Sequence, residues 1–338
     1  MPHTFKNHGI HVAIVGATGV VGQEILRILE EQKISIAVLS LLASKQSIGK
    51  SYTFNEEECF VEELTEQSFK GVDFALFSAG ASISKHYAPI AAKAGATVID
   101  NTSQFRMEEN IPLVVPEVNK HALSNHQGII ANPNCSTAQL VVALKPIYDL
   151  FGIKRIITST YQSVSGAGKE AITELESHSQ ASLSGQVKLP QQFTKPIAFN
   201  VIPHIDVFQE NAYTKEEMKM TNETKKIFED PELQLSATCV RVPVFVGHSE
   251  AVNVECKKEV NLDVLKEHYK KMDSVYIMDD PANNEYPTPR ETAGTNPVYI
   301  GRIRHDISRK NCIELWVVAD NLRKGAALNA VQIMKEMI

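Results

Sequence analysis

Short apolar runs alternate with amphipathic stretches over the first third of the chain. HVAIVG (11–16) reads as a buried strand, and QEILRILEE (23–31) carries apolar residues at 25, 26, 28 and 29, one face of a helix. AVLSLLAS (37–44) predicts a second strand, and VDFALFSAG (72–80) another, followed by a helix through HYAPIAAKAG. ATVIDNT (96–102) and GIIANPN (128–134) complete the set. Strands alternating with helices imply α/β architecture: a Rossmann-type doubly wound parallel sheet, covered on both faces.

From about residue 153 the texture changes. IKRIITSTYQSV, ATCVRVPVFVG, SEAVNVEC, PVYIGRIRHD and CIELWVVAD alternate apolar and polar residues over longer spans. That pattern predicts an α+β domain with a mostly antiparallel sheet, one face covered. Helical patterns interrupt it at 168–183, 213–228 and 261–272, and the Pro- and Asn-rich stretch 279–297 reads as a long loop. A last helix, NLRKGAALNAVQIMKEM (321–337), is expected to pack back on the first domain. The division that follows is 1–134 with 321–338 for the first domain, and 135–320 for the second. A length of 338 residues suits two domains.

Composition narrows the function classes. A net charge of −6 provides no basic excess to neutralise phosphates, which argues against a general nucleic-acid binder. No run approaches the roughly 18 apolar residues a membrane helix needs. The N-terminus, MPHTFKNHGIHVAIVGATG, reaches its first strand early and carries no signal-peptide pattern. The five cysteines (Cys59, Cys135, Cys239, Cys256, Cys312) are scattered and free of CxxC pairs. A disulfide framework or metal site is therefore not expected, and a reducing, cytoplasmic setting is.

GATGVVG (16–22) falls where a strand ends and a helix begins. Gly16 permits a tight turn, Gly19 lets backbone approach a pyrophosphate, and Gly22 allows close helix–strand packing. Free N–H groups at the helix start would meet the phosphates, so Gly16, Thr18, Gly19, Val20 and Val21 are candidate cofactor contacts. The spacing is GxxGxxG rather than GxGxxG, and such a turn also occurs in doubly wound domains that bind no nucleotide. At the end of the second strand, LLASKQS offers Ser44, Lys45 and Ser47 and no acid. A cation with hydroxyls suits a 2′-phosphate, hence NADP; the plainer alternative is that Lys45 is a solvated loop residue.

ANPNCSTAQLVVALKPI (131–147) sets Cys135 between a turn and the start of a helix near Ser136. A helix N-terminus favours thiolate, and its amides could stabilise an oxyanion. A lone cysteine is otherwise a small buried residue. Cys239, Cys256 and Cys312 lie inside strand patterns and read as core, and Cys59, within EEECF, reads as a surface or edge residue. Among 11 histidines, His86, His121, His126, His178 and His268 occupy helical or polar surface contexts. His248 follows Gly247, where one strand pattern gives way to the next; a hairpin there would bring Arg241 and His248 together. His204, in NVIPHID, is its competitor as acid/base partner.

Taken together these stretches resemble aspartate-semialdehyde dehydrogenase. GATGVVG, LLASKQS, SAGAS, VIDNTSQFRM, VPEVN, NPNCST, YQSVSGAGKEA, NVIPHID, EEMKMTNETKKI, RVPVFVGHSEAV and DNLRKGAALNA run in family order over nearly the whole chain. The resemblance implies NADPH-dependent reduction of L-4-aspartyl phosphate to the semialdehyde with release of phosphate, in lysine, methionine, threonine and diaminopimelate biosynthesis. It implies a homodimer built from a nucleotide domain and an α/β dimerisation domain. It also implies that Cys135 forms an acyl-thioester, His248 acts as acid/base and Gln162 orients the substrate. Arg241 would grip the substrate carboxylate, Arg106 and Lys219 the acyl phosphate, and Glu216 the ammonium, with Glu217 one residue away as the alternative. Ser165, Gly166 and Asn321 resemble further cofactor contacts. Lys45 departs from the pattern, standing where many relatives carry Arg. N-acetyl-glutamyl-phosphate reductase uses the same cysteine chemistry but an acetylated nitrogen needs no acid such as Glu216. A non-catalytic nucleotide-binding homologue is the rival from another class, against which the presence of both Cys135 and His248 argues.

Overall fold

Continuous apolar runs in the first 133 residues need cover on both sides, and they find it in a parallel sheet. The computed structural model describes residues 2–5 and 8–338; residues 1, 6 and 7 of the N-terminal segment lie outside the described residues. The chain divides into two units, residues 1–133 with 326–338, and residues 134–325.

In the first unit the elements are β1 (His3–Thr4), β2 (Ile10–Val15), α1 (Val20–Glu31), β3 (Ile36–Ala43), β4 (Ser51–Phe54), β5 (Glu57–Glu63), β6 (Phe74–Phe77), α2 (Ala81–Lys93), β7 (Thr97–Asp100), the short α3 (Pro116–Asn119) and β8 (Ile129–Ala131). The strand order is β4-β5-β3-β2-β6-β7-β8, with β1 beside β3. Pairing from β5 through β8 is parallel, and only β1 and β4 run antiparallel to their neighbours. β2 lies between β3 and β6, so the strand order reverses there, the place at whose C-terminal end open α/β sheets generally take ligands. The C-terminal helix Leu328–Lys335 packs beside α1 and adds Val331, Ile333 and Met334 to the core built on Ile14, Ile25, Leu29 and Leu41.

The β4–β5 hairpin went unread in the sequence. Its two-residue turn, Asn55-Glu56, has φ of 48° and 66°, the left-handed pair such a turn needs, but without the glycine that advertises it. Cys59 is corrected with it. β5 alternates, turning Glu58 and Phe60 outward and Cys59 and Val61 inward, so Cys59 is buried rather than a surface residue.

The second unit comprises α4 (Cys135–Phe151), β9 (Ile153–Gln162), α5 (Lys169–Leu183), α6 (Lys215–Ile227), β10 (Gln234–Arg241), β11 (His248–Cys256), α7 (Leu262–Tyr269), β12 (Val275–Ile277), α8 (Pro289–Thr292), β13 (Val298–His305) and β14 (Cys312–Ala319). Its sheet has the order β10-β9-β11-β14-β13-β12 and is antiparallel except for the β10–β9 and β12–β13 pairs. The expected hairpin between the strands ending at Arg241 and beginning at His248 does not form. β9 lies between β10 and β11, and residues 242–247 cross its end. Val242 N–H donates to Gln162 O at 3.0 Å, while Val164 and Ser165 N–H donate to Val244 O (2.8 Å) and Phe245 O (3.1 Å). Pro243 brings no N–H to a hairpin ladder, and Gly247, at φ 97°, turns the chain into β11.

The stretch read as one last helix is also divided: Arg323–Ala327 forms a π-helical turn before the α-helix begins at Leu328. His178, read in a helical or polar surface context, lies on α5 and is buried. No helix among the described residues is long and apolar enough to cross a membrane.

Candidate active site around Cys135

The residue that holds the N-terminus of α4 is Asn134. Its Oδ1 accepts from the N–H groups of Ser136 (3.0 Å) and Thr137 (3.3 Å), capping the helix. Its Nδ2 donates to Glu216 Oε1 at 2.8 Å, and its own N–H donates to Glu223 Oε2 at 2.6 Å. Cys135 is the first helical residue and the one cysteine that is not buried. The others are poor nucleophiles: burial pushes the Cys59 thiol up to about 11 and that of Cys256 to about 12, and burial with Glu216 nearby pushes Cys239 up as well. Gly325, in the π-helical turn, approaches Cys135 so closely that a Cβ there would lie 2.7 Å from Cys135 Cβ and 3.0 Å from its Cα.

His248 is completely buried at the start of β11. Its Nδ1 lies 3.1 Å from both the N–H and the Oγ of Ser163. A backbone N–H can only donate, so Nδ1 is the acceptor and the neutral ring carries its proton on Nε2. Burial, then the charge of Arg241, push the imidazole down to about 3. Nε2 is buried with no hydrogen-bond partner. A Cβ on Gly166 would come within 3.2 Å of Arg241 Nη1 and 3.3 Å of His248 Nε2, so glycine leaves that space open. Arg241 is itself buried, donates from Nη1 to Ser163 O at 2.6 Å, and pairs with no carboxylate among the described residues. Burial weakens the hold of its guanidinium on its proton, against the pull of Glu216 and Cys135. Thus β9 separates β10 from β11, yet the crossing segment returns both side chains to the same glycine. His204 is placed differently: its Nδ1 lies 3.4 Å from Thr194 Oγ1 and its ring stacks on Phe208.

Capping separates the surroundings of Glu216 from those of Glu217. Glu217 closes a capping box at the start of α6, taking the Thr214 N–H at 2.7 Å, and its other oxygen takes the Cys239 N–H at 3.0 Å. Glu216 points instead to Asn134, to Gln162 Nε2 (3.3 Å) and to Lys219 Nζ (3.1 Å). Burial opposes its charge, but Lys219 and these hydrogen bonds outweigh burial and hold the carboxyl below its usual range. Lys219 bridges to Asp206 at 2.8 Å as well, and the two acids raise its pKa against the effect of burial. Asn321 is buried, its Oδ1 taken by Gly247 N–H (2.8 Å), Ser163 Oγ (3.0 Å) and Ser165 Oγ (3.2 Å). Sequence reading overlooked Asn134, Ser163, Glu223 and Gly325. An Asn directly before a helix is a legible cap; the other three contribute through distant contacts.

The first unit carries the remaining candidates. Gly16 has φ 88°, and a Cβ there would meet the Ser78 carbonyl carbon at 2.9 Å; one on Gly22 would lie 2.2 Å from Gly16 O. Both glycines are required by packing. Gly19 is not: its φ is −78°, only Gly16 O at 3.3 Å would meet a Cβ, and the residue is exposed. Its lack of a side chain leaves room outward, over the first turn of α1, which no side chain caps. Thr18, Val20 and Val21 are partly exposed beside it. Ser44 and Lys45 are exposed after β3, and Ser47 is buried. Arg106 is buried, donating from Nε to Asn132 O (2.8 Å) and from Nη2 to Asn101 O (2.7 Å).

Comparison with known proteins gives this geometry a family. A model described as semialdehyde dehydrogenase, NAD binding domain, matches residues 11–126, and one described as semialdehyde dehydrogenase, dimerisation domain, matches residues 144–324. An aspartate-semialdehyde dehydrogenase of Bacillus subtilis is 52% identical over 337 residues, 97% of each chain. The chain belongs to the aspartate-semialdehyde dehydrogenase family. An aspartate-semialdehyde dehydrogenase of Aquifex aeolicus is likewise 52% identical, over 98% of each chain. Among solved structures, aspartate semialdehyde dehydrogenase II of Vibrio cholerae, complexed with ASA, superposes with a TM-score of 0.95 at 50% identity, covering 97% of this chain and 98% of that one. The enzyme of Candida albicans, solved with NADP, is 26% identical with a TM-score of 0.73, covering 97% and 98%. The family's two-domain architecture, a Rossmann-like NAD-binding domain and a mostly antiparallel dimerisation domain, is the architecture found here.

Proposed function

We propose that this protein reduces L-4-aspartyl phosphate to L-aspartate 4-semialdehyde with NADPH, through an acyl-thioester on Cys135. The observation that carries the reading is a partly exposed thiol at a capped helix N-terminus in the same unit as the buried Arg241 guanidinium, which pairs with no carboxylate among the described residues, and the buried His248 imidazole, whose Nε2 has no hydrogen-bond partner. A buried guanidinium without a counter-charge is costly, and a substrate carboxylate offsets that cost.

The Cys135 sulfur bonds to the acyl carbon as the carbon–oxygen bond to phosphate breaks. Amides at the start of α4 and the Nε2–H of His248 stabilise negative charge on the acyl oxygen. NADPH, when bound, supplies the hydride that converts the thioester to the aldehyde. Collapse of the tetrahedral adduct returns the sulfur as thiolate, with His248 as its acid/base partner. Gln162 orients the acyl group, Arg241 holds the carboxylate, Glu216 receives the ammonium, and Arg106 and Lys219 hold the phosphate. In this reading the Asp206–Lys219–Glu216 ion pairs rearrange as substrate enters.

The open space outward of Gly19 and the uncapped start of α1 suit a dinucleotide phosphate, and Lys45 with Ser44 and Ser47 suits the 2′-phosphate of NADP. Ser165, Gly166 and Asn321 would complete the cofactor site. We assign the first unit to the cofactor and the second to substrate and dimerisation. Exposed Leu183, Val187, Leu189, Phe199 and Phe208 on the second unit support a homodimer. Five cysteines outside any disulfide fit a reducing cytoplasm, and the product would feed lysine, methionine, threonine and diaminopimelate synthesis.

The test is phosphate-dependent reduction of NADP with aspartate semialdehyde, beside N-acetyl-glutamate semialdehyde. Turnover confined to the first aldehyde is expected. Preference for the acetylated substrate would overturn the assignment of Glu216 and of the substrate.

A further inference from the structure

Gln139 follows Cys135 by four residues on α4, so the two project from one face of the helix. Its Nε2 donates to the backbone carbonyl of His248 at 3.3 Å. Two residues along β11, Glu250 is fully buried and forms no ion pair among the described residues. Both Glu250 oxygens lack a partner of ordinary geometry, and so does Gln139 Oε1. Burial drives the carboxyl well above its usual range; the hydrogen bonding that opposes this comes from Gln139. Its register neighbours are Thr160 on β9 and Val317 on β14, and the Cys239 thiol on β10 lies near it.

A neutral carboxyl carries an O–H donor that a carboxylate lacks. One proton on Glu250 therefore satisfies three orphaned oxygens together. The O–H would meet Gln139 Oε1 and the carboxyl C=O would take one Gln139 N–H, while the second N–H remains on His248 O. An ionised Glu250 would instead leave Gln139 Oε1 without a donor and place a negative charge two residues from the imidazole.

We propose that Glu250 and Gln139 form a reciprocal carboxyl–amide pair that ties the Cys135 helix to the backbone of His248, making Glu250 a positioning residue for the reaction. This rests on the assignment of Cys135 and His248 as the reacting pair.

The experiment compares Glu250→Gln, Glu250→Leu and Gln139→Leu in the full-length protein. Glutamine keeps an amide donor and acceptor toward Gln139, so Glu250→Gln should stay within about threefold of wild-type kcat. Glu250→Leu and Gln139→Leu should each lose roughly ten- to a hundredfold in kcat, the scale for misplaced reacting groups, with little change in KM. Combining the two leucine substitutions should cost no more than either alone, because both break one pair. Difference infrared spectroscopy of wild type against Glu250→Gln, at neutral pH, should show the C=O stretch of a protonated carboxyl. A carboxylate band instead would overturn the proposal even if the leucine variants failed to fold. So would full kcat in Glu250→Leu, or equal loss in Glu250→Gln and Glu250→Leu. Wild-type activity in Cys135→Ser would sink the underlying assignment instead, and the infrared result would stand apart from it.

Discussion

Replacing Gly325 with alanine should impair chemistry through one misplaced atom. The new Cβ would lie 2.7 Å from Cys135 Cβ, 3.0 Å from its Cα and 3.3 Å from its carbonyl oxygen. Ordinary contact for a Cβ begins near 3.4 Å, so the pair must separate by about 0.7 Å. Nothing at this position can yield cheaply, because the obstructing atoms are the backbone and first side-chain carbon of Cys135. They are held by the Asn134 cap and its bonds to Glu216 and Glu223. Overpacking of this kind costs about 1–3 kcal/mol of stability. A nucleophile moved by most of an ångström loses roughly ten- to a hundredfold in kcat. Steady-state kinetics and the rate of Cys135 alkylation should both fall, while thermal unfolding shows a folded protein with lowered Tm. Wild-type kcat and alkylation rate in Gly325→Ala would refute the argument, since the contact would then have relaxed without moving Cys135.

Cys135→Ser should abolish turnover and leave NADP binding nearly intact, measured by cofactor titration; alkylation of wild type followed by mass spectrometry should mark Cys135 and spare buried Cys59. Lys45→Ala should raise the KM for NADP and leave that for NAD little changed, and equal wild-type kcat/KM for the two cofactors would count against the 2′-phosphate assignment. Arg241→Ala should weaken every substrate form, whereas Arg106→Ala should raise the KM for phosphate far more than that for aldehyde; at about 1.5–3 kcal/mol for a charge-assisted contact, each effect should be roughly ten- to a hundredfold. His248 has its pKa lowered from 6.5 to about 3, so the unfolded chain binds the extra proton between these values. Its contribution to stability is present above pH 6.5 and lost as pH falls toward 3, at up to about 1.4 kcal/mol per pH unit. Chemical denaturation across that window should find His248→Asn less acid-sensitive than wild type, and identical pH slopes would contradict a buried neutral imidazole.

Local pattern determined much of this protein. The parallel sheet was legible because strands buried on both faces must be continuously apolar, and the second sheet because one-sided burial imposes alternation. The glycine turn and Cys135 were legible too, since a tight turn and a helix start are properties of a few consecutive residues. What needed the fold were the contacts made across the sheet. A hairpin is the cheapest guess for two adjacent strands, and here it was wrong: β9 inserts between β10 and β11, a pairing that local sequence does not encode. Cys59 read as exposed because its neighbours are acidic, yet period-two alternation on β5 turns it inward. Glu216 and Glu217 were indistinguishable by motif, because one residue of helix rotation separates an N-terminal cap from a carboxylate turned toward Asn134, Gln162 and Lys219. Gly325 and Glu250 carried no local signal at all. Their roles come from which backbone passes beside Cys135 and which amide meets a buried carboxyl, and both are set only when residues more than a hundred positions apart pack together.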